Sequence, residues 1–134
     1  AHLRGRSLRY LGFDGSGAQV RDCLHPKDLF RLVRLQMKSS GVKVSHRVVN
    51  VSGGATNSMS LAELTEWCDN RWRKQKVEEA GEDRKYDLPW VVLDSSKCSH
   101  LWDWSPQIEM EEILNEIADH AEANPSWLSI SGVR

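Results

Sequence analysis

Pro26 constrains this chain more than any other residue. It lies within Val20-Arg21-Asp22-Cys23-Leu24-His25-Pro26-Lys27-Asp28-Leu29. Proline has no N–H to lose at the first position of a helix, and its φ is already helical. The stretch therefore predicts a strand end that runs directly into a helix starting at Pro26. Arg21 then stands where a strand delivers its last side chain, and its guanidinium could fork onto a phosphate or carboxylate through two parallel hydrogen bonds. A surface Arg21–Asp22 pair beside an ordinary helix start accounts for the same residues.

The helix predicted over 26–38 carries Leu29, Phe30, Leu32, Val33, Leu35 and Met37. That arc is wider than one core-facing stripe, so this helix is expected to be covered on more than one side. Upstream, Leu8 to Phe13 reads as a strand and Asp14-Gly15-Ser16-Gly17 as a turn. Val48-Val49-Asn50-Val51 is a short β-branched run that suits a buried, parallel strand, and Ser52 to Ser58 follow it with two glycines. Ser60 and Glu63 form a capping-box pattern that opens a helix to about Arg73, with Leu61, Leu64, Cys68 and Trp72 on one face. Lys76 to Glu78 is a weak strand, Ala80 to Tyr86 a charged loop and Trp90 to Leu93 a strand. Asp94 or Ser95 can cap a short helix to about Trp102. The last helix spans about Glu109 to Ala123, with Ile113, Leu114, Ile117 and Ala121 on one face and acidic residues at its favourable N-terminal end. Residues 126–134 read as a tail in which Trp127 and Leu128 can dock.

Composition limits the function classes. The chain has 134 residues with 40% hydrophobic and 28% charged content, an ordinary globular balance. Its net charge of −1, with both signs interspersed, argues against nucleic acid or an anionic membrane as the main partner. No apolar run approaches the roughly 20 residues needed to span a bilayer. The three cysteines, Cys23, Cys68 and Cys98, have no short-spacing framework, which suits reduced thiols and a cytoplasmic setting.

Several residue patterns carry chemistry. Gly53-Gly54 could cradle a phosphate at a helix start, but it lacks Gly-x-Gly-x-x-Gly spacing and reads more simply as a tight turn. Cys23-x-His25 and Cys98-x-His100 invite a zinc reading, but neither arm has the paired spacing of a structural site, so no metal is expected. His25 could serve as a general base or as a structural histidine. No Tyr-x-x-x-Lys occurs, and no catalytic residue is assigned. Arg84-x-x-Asp87-Leu88-Pro89 supplies a second arginine, which with Arg21 could clamp a diphosphate. Taken alone, the motif reads more simply as a solvated loop.

Taken together, these motifs resemble the extended short-chain dehydrogenase/reductases, the NAD-dependent nucleotide-sugar epimerases and dehydratases. Val20-Arg21-Asp22-x-x-His25-x-x-Asp28-Leu29 and Arg84-x-x-Asp87-Leu88-Pro89 occur there in the same order. Between them, Val49 to Gly54 is similar to the family's last Rossmann strand and glycine turn. Asp94-Ser95-Ser96-Lys97 with Trp102-Asp103-Trp104-Ser105-Pro106 is similar to the family's ending, except that Asp103 stands where the family has glycine. Gly12-Phe13 ahead of Gln19-Val20-Arg21-Asp22, and Asn57-Ser58-x-Ser60-Leu61, are closest to the CDP-paratose (CDP-tyvelose) 2-epimerase branch.

The resemblance implies an α/β fold with an incomplete sheet: the C-terminal part of a Rossmann-type epimerase, comprising the last sheet strand and helix and a small substrate-binding domain. Residues 1–125 would form that portion and 126–134 a tail. It implies that Arg21 and Arg84 hold the diphosphate of a nucleotide-diphospho-sugar and that Asp87 holds its ribose. NAD belongs to the parent enzyme, since the dinucleotide fingerprint and the catalytic Tyr-x-x-x-Lys are absent from this chain. A helix apolar on several sides and a strand lacking neighbours further imply a homo-oligomer. Two alternatives remain open: a free-standing, non-catalytic interaction module derived from a truncated epimerase, and nucleotide or phosphate binding without redox chemistry.

Overall fold

The computed structural model describes residues 1–39, 48–78 and 86–130. In chain order its elements are β1 (Leu8–Arg9), β2 (Val20–Asp22), α1 (Pro26–Lys38), β3 (Ser58–Ser60), α2 (Leu61–Arg71), β4 (Val77–Glu78), β5 (Trp90–Val91), α3 (Ser96–Trp102), α4 (Met110–Ala123) and α5 (Trp127–Ile130). They fall into two units. The first comprises Ala1–Asp22 and Ser58–Val92, the second Cys23–Asn57 and Leu93–Arg134. This is the mixed α/β class with small, incomplete sheets that the sequence implies.

In the first unit β2 is the centre of a three-stranded sheet. It runs antiparallel to β3, with Arg21 opposite Met59, and parallel to β5, with Arg21 opposite Val91. β1 pairs in parallel with β4. The strand expected over Leu8–Phe13 stops at Arg9. Gly12 adopts a φ of 83°, and Phe13 and Asp14 also take positive φ, turning the extended chain into a 3₁₀ turn over Phe13–Gly15. The capping box forms as expected: Ser60 Oγ accepts from the Glu63 N–H, and the Glu63 carboxylate accepts from the Ser60 N–H. The Ser60 N–H, and then the Ser60 hydroxyl, donate to the Glu63 carboxylate and hold it below its ordinary range. At the last residue of α2, the Arg71 guanidinium lies over the rings of Trp67 and Trp72, a cation–π arrangement.

The second unit holds the apolar core. Among the described residues, all the buried hydrophobic side chains lie here. α1 starts at Pro26 as expected. Its N-cap is His25, whose Nδ1 accepts from the Lys27 N–H at 3.0 Å while Nε2 meets Glu116 at 2.9 Å. An accepting Nδ1 leaves Nε2 to donate, so both nitrogens are engaged and His25 is structural. The His25 and Lys27 contacts hold the Glu116 carboxyl low. α1 packs on α3, and Leu32, Cys98 and Trp104 form a buried cluster flanked by Leu24, Leu35, Val49, Val51 and Trp102.

Three expectations are corrected in this unit. Val48 to Val51 forms no strand. Val49 and Val51 do pack on the core, but the segment's polar groups bond to side chains instead of a ladder: Lys97 donates to the Val48 carbonyl and the Cys98 thiol to the Asn50 carbonyl. Ser52 continues the pattern, its N–H donating to Ser95 Oγ and its hydroxyl to the Leu93 carbonyl. On α4, Ile113, Leu114 and Ala121 are buried, joined by Ala118, but Ile117 is exposed where it lines an open cleft beside His25 and Trp127. α1 itself is covered on one side only, since Leu29, Phe30, Val33 and Met37 are all exposed. The expected tail contains α5, and Trp127 docks edge-on against His120.

Candidate functional site

In the first unit a cleft of about 330 Å³ is lined by Arg9, Leu11, Gln19, Arg21, Leu61 and Asp87. Two sequence-predicted site residues meet in it. Arg21, on β2, and Asp87, just before β5, are brought together because those strands are parallel neighbours. Arg21 Nη2 lies 3.8 Å from Asp87 Oδ1, and Arg21 Nη1 donates to the Val20 carbonyl at 2.7 Å. The third predicted residue, Arg84, lies outside the described residues.

Gln19 is the residue that sequence reasoning missed. It is only 4% exposed. Its Nε2 donates to the Leu11 carbonyl at 2.7 Å and to Asp87 Oδ2 at 3.1 Å. Both partners are acceptors, so the amide orientation is fixed and Oε1 is the end left over. Oε1 is buried without a partner among the described residues, a costly condition for a polar atom unless something supplies a donor. The Asp87 carboxylate is thus held by Gln19, by the Leu88 N–H at 3.0 Å and by Arg21. Gly12 makes room for it: a Cβ there would sit 2.0 Å from Asp87 Oδ2. Chemically, the lining brings together two arginines and the Asp87 carboxylate, with an unfilled acceptor on Gln19; Arg9 is paired with Glu78 at 3.2 Å.

The other candidates are used elsewhere. Gly53 runs against the Cys23 carbonyl so closely that a Cβ would lie 1.8 Å from it, and the Gly54 N–H is taken by Ser52 Oγ. This is a tight turn with an occupied donor. Cys98 is buried in the core, where desolvation raises its thiol pKa, while His100 lines a shallow surface pocket with Lys97. No group of three or more His, Cys, Asp or Glu side chains stands in metal-holding arrangement among the described residues. Nor is any helix among them long and apolar enough to cross a membrane.

Comparison with known proteins places this geometry. No protein-family model matches the chain. Over 111 residues it is 30% identical to the CDP-paratose 2-epimerase of Salmonella typhi, a match covering 78% of this chain and 31% of that protein. The chain is a partial-length relative of the extended short-chain dehydrogenase/reductases. It spans about a third of the length of the curated relatives it matches. Among solved structures of the family, the dTDP-glucose 4,6-dehydratase of Bacillus anthracis, in complex with NAD, matches 93% of this chain and 37% of its own with a TM-score of 0.66 and 26% identity. The UDP-glucuronic acid 4-epimerase of Bacillus cereus, in complex with UDP-glucuronic acid and NAD, shares the fold with a TM-score of 0.69 and 19% identity, over 90% of this chain and 37% of its own. The family read from the two arginine motifs is therefore the right one.

Proposed function

We propose that this chain is the C-terminal, substrate-binding portion of an NAD-dependent nucleotide-sugar epimerase, and that the cleft of the first unit holds a nucleotide-diphospho-sugar. The observation that carries this reading is the meeting of Arg21 and Asp87 across parallel strands, at one cleft. Arg21 grips the diphosphate, Asp87 accepts from a ribose hydroxyl, and Arg84 adds a second cation. The relatives' names and bound ligands point to the same ligand class.

The residues of this chain do not fit NAD. The Gly53–Gly54 turn is closed by the Cys23 carbonyl and its Gly54 N–H is already bonded, so it offers no dinucleotide cradle. In this reading NAD is held by another part of the parent enzyme, which works in the cytoplasm, and the chain alone turns over no substrate. Titration calorimetry with CDP and UDP tests the reading. Binding by the wild type, weakened roughly ten- to a hundredfold by Arg21→Ala, supports it, in line with loss of a charge-assisted bond. Absence of binding, or an affinity indifferent to Arg21→Ala, overturns it.

A second reading is favoured by the bare apolar face of α1. Leu29, Phe30, Val33 and Met37 point away from the core of their unit, and a continuous apolar stripe on a soluble surface marks an interaction site. In this reading the chain is a non-catalytic module that pairs through α1 with a second copy of itself.

A further inference from the structure

We propose that Arg9 is a further cationic arm of the first unit's cleft, and that with Arg21 it selects diphosphate over monophosphate ligands; this rests on reading the cleft as a nucleotide-diphosphate site. Nothing in the local sequence around Arg9 marks it. The strand β1 places it: Leu8 is half-buried while Arg9 alternates outward, and Arg9 joins Arg21 among the residues that line the same cleft.

Three observations support the assignment. First, Arg9 is committed only weakly. It faces Glu78 across the β1–β4 pair at 3.2 Å, with both side chains substantially exposed. Such pairs are screened by water and yield readily to a better anion. A phosphate oxygen offers the charge-assisted, two-pronged geometry that a guanidinium prefers.

Second, each arginine has its own carboxylate, but only one of the two carboxylates lines the cleft. Asp87, opposite Arg21, already accepts from Gln19 and the Leu88 N–H, while Glu78, opposite Arg9, is not among the lining residues. An anion in the cleft that draws Arg9 off Glu78 meets two arginines.

Third, the buried Gln19 Oε1 has no donor among the described residues. Cations and an unsatisfied acceptor in one cleft match a ligand that presents a polyphosphate next to hydroxyl groups.

The test measures, by titration calorimetry on the full chain, the affinity for CDP and UDP and for CMP and UMP. For the wild type we expect clear preference for the diphosphate. Arg9→Ala lowers diphosphate affinity about tenfold and brings the diphosphate-to-monophosphate ratio toward one. Arg9→Lys, which keeps the charge but not the fork, falls between the two. Glu78→Gln, which removes the competing carboxylate, raises diphosphate affinity two- to threefold, a gain that a purely structural Arg9–Glu78 pair would not give. An unchanged ratio in Arg9→Ala, alongside a reduced affinity in Arg21→Ala, overturns the role of Arg9 while leaving the cleft's function standing. A wild-type chain that binds neither diphosphate overturns both.

Discussion

The indole Nε1 of Trp104 donates to the backbone carbonyl of Asp28 at 3.0 Å, deep inside the second unit, where Trp104 is 1% and Asp28 2% exposed. The same aspartate uses its side chain to hold the turn after Trp104: Oδ2 accepts from the N–H groups of Gln107 and Ile108, each at 3.0 Å. Oδ1 pairs with Arg31 at 3.2 Å, one helical turn on, and Arg31 also donates to the Ser105 carbonyl. One buried carboxylate thus fastens the start of α1 to the segment that leads into α4.

This arrangement separates two substitutions. Asp28→Asn keeps an oxygen that can accept both N–H groups and loses the charge toward Arg31, so it costs about 1 kcal/mol. Asp28→Leu strands two buried N–H donors and costs about 3–5 kcal/mol, the range for breaking a buried, fully bonded charged group. Urea unfolding of the two variants checks the gap. Equal costs would mean that Asp28 acts through packing alone.

Asp103 ends α3 in the left-handed region, with φ of 49° and its N–H bonded to the Ser99 carbonyl at 2.9 Å. Glycine would meet no Cβ penalty at this place. The turn is retained here by an aspartate, one of the few side chains that tolerate this backbone. Asp103→Gly is expected to raise stability by about 0.5–1 kcal/mol, and Asp103→Ala to lower it by a similar amount. Denaturant midpoints of the pair measure both signs.

Local chemistry made some of this fold readable and hid the rest. Pro26 marked the first residue of α1, and Ser60 with Glu63 marked the start of α2, because each signal acts within one helical turn. Val48 to Val51 misled, because a β-branched run says only that a segment is extended and apolar. Whether it becomes a strand depends on a neighbour, and here side chains of α3 take its carbonyls instead. The Asp28–Trp104 bond joins residues far apart in sequence and leaves no local trace. At the cleft, Arg21 and Asp87 were legible through motifs. Gln19 and Arg9 became visible only as lining residues of the folded cleft. A buried, half-satisfied amide is a property of packing, which composition and spacing do not encode.

His2 and Asp69 tie the N-terminal segment to the end of α2. His2 Nε2 lies 2.8 Å from Asp69 Oδ1, which also accepts from the Gln75 N–H at 3.1 Å. The His2 bond, and secondarily the Gln75 N–H, hold the Asp69 carboxyl below the usual range. A carboxyl whose folded pKa lies below its unfolded one adds stability above the unfolded value, near pH 4, and loses it as pH falls through the folded value. Asp69→Asn should therefore melt below wild type at pH 7, with the two melting temperatures converging as pH drops below about 4. A melting difference that is the same at both ends of that range would rule out the ionised carboxylate as the source.

The exposed side of α1 gives the sharpest test of self-association. At about 100° per residue, Asp28, Leu32 and Leu35 cluster on one side of the helix, while Leu29, Phe30, Val33 and Met37 centre roughly 150° away. The first set is buried or packed on the core and the second is exposed, so α1 has two apolar faces and one covering. Water contact with four large side chains in a row is relieved by a second copy presenting the same stripe. Sedimentation equilibrium should find wild-type mass rising with concentration. Phe30→Glu combined with Val33→Glu should hold the chain at monomer mass, because closing the interface would then bury unpaired charge. Both positions are solvent-facing in the single chain, so the same double variant should unfold within about 0.5 kcal/mol per site of wild type. A wild-type chain that stays monomeric at every concentration would remove the oligomer reading and leave this face without a role in pairing copies.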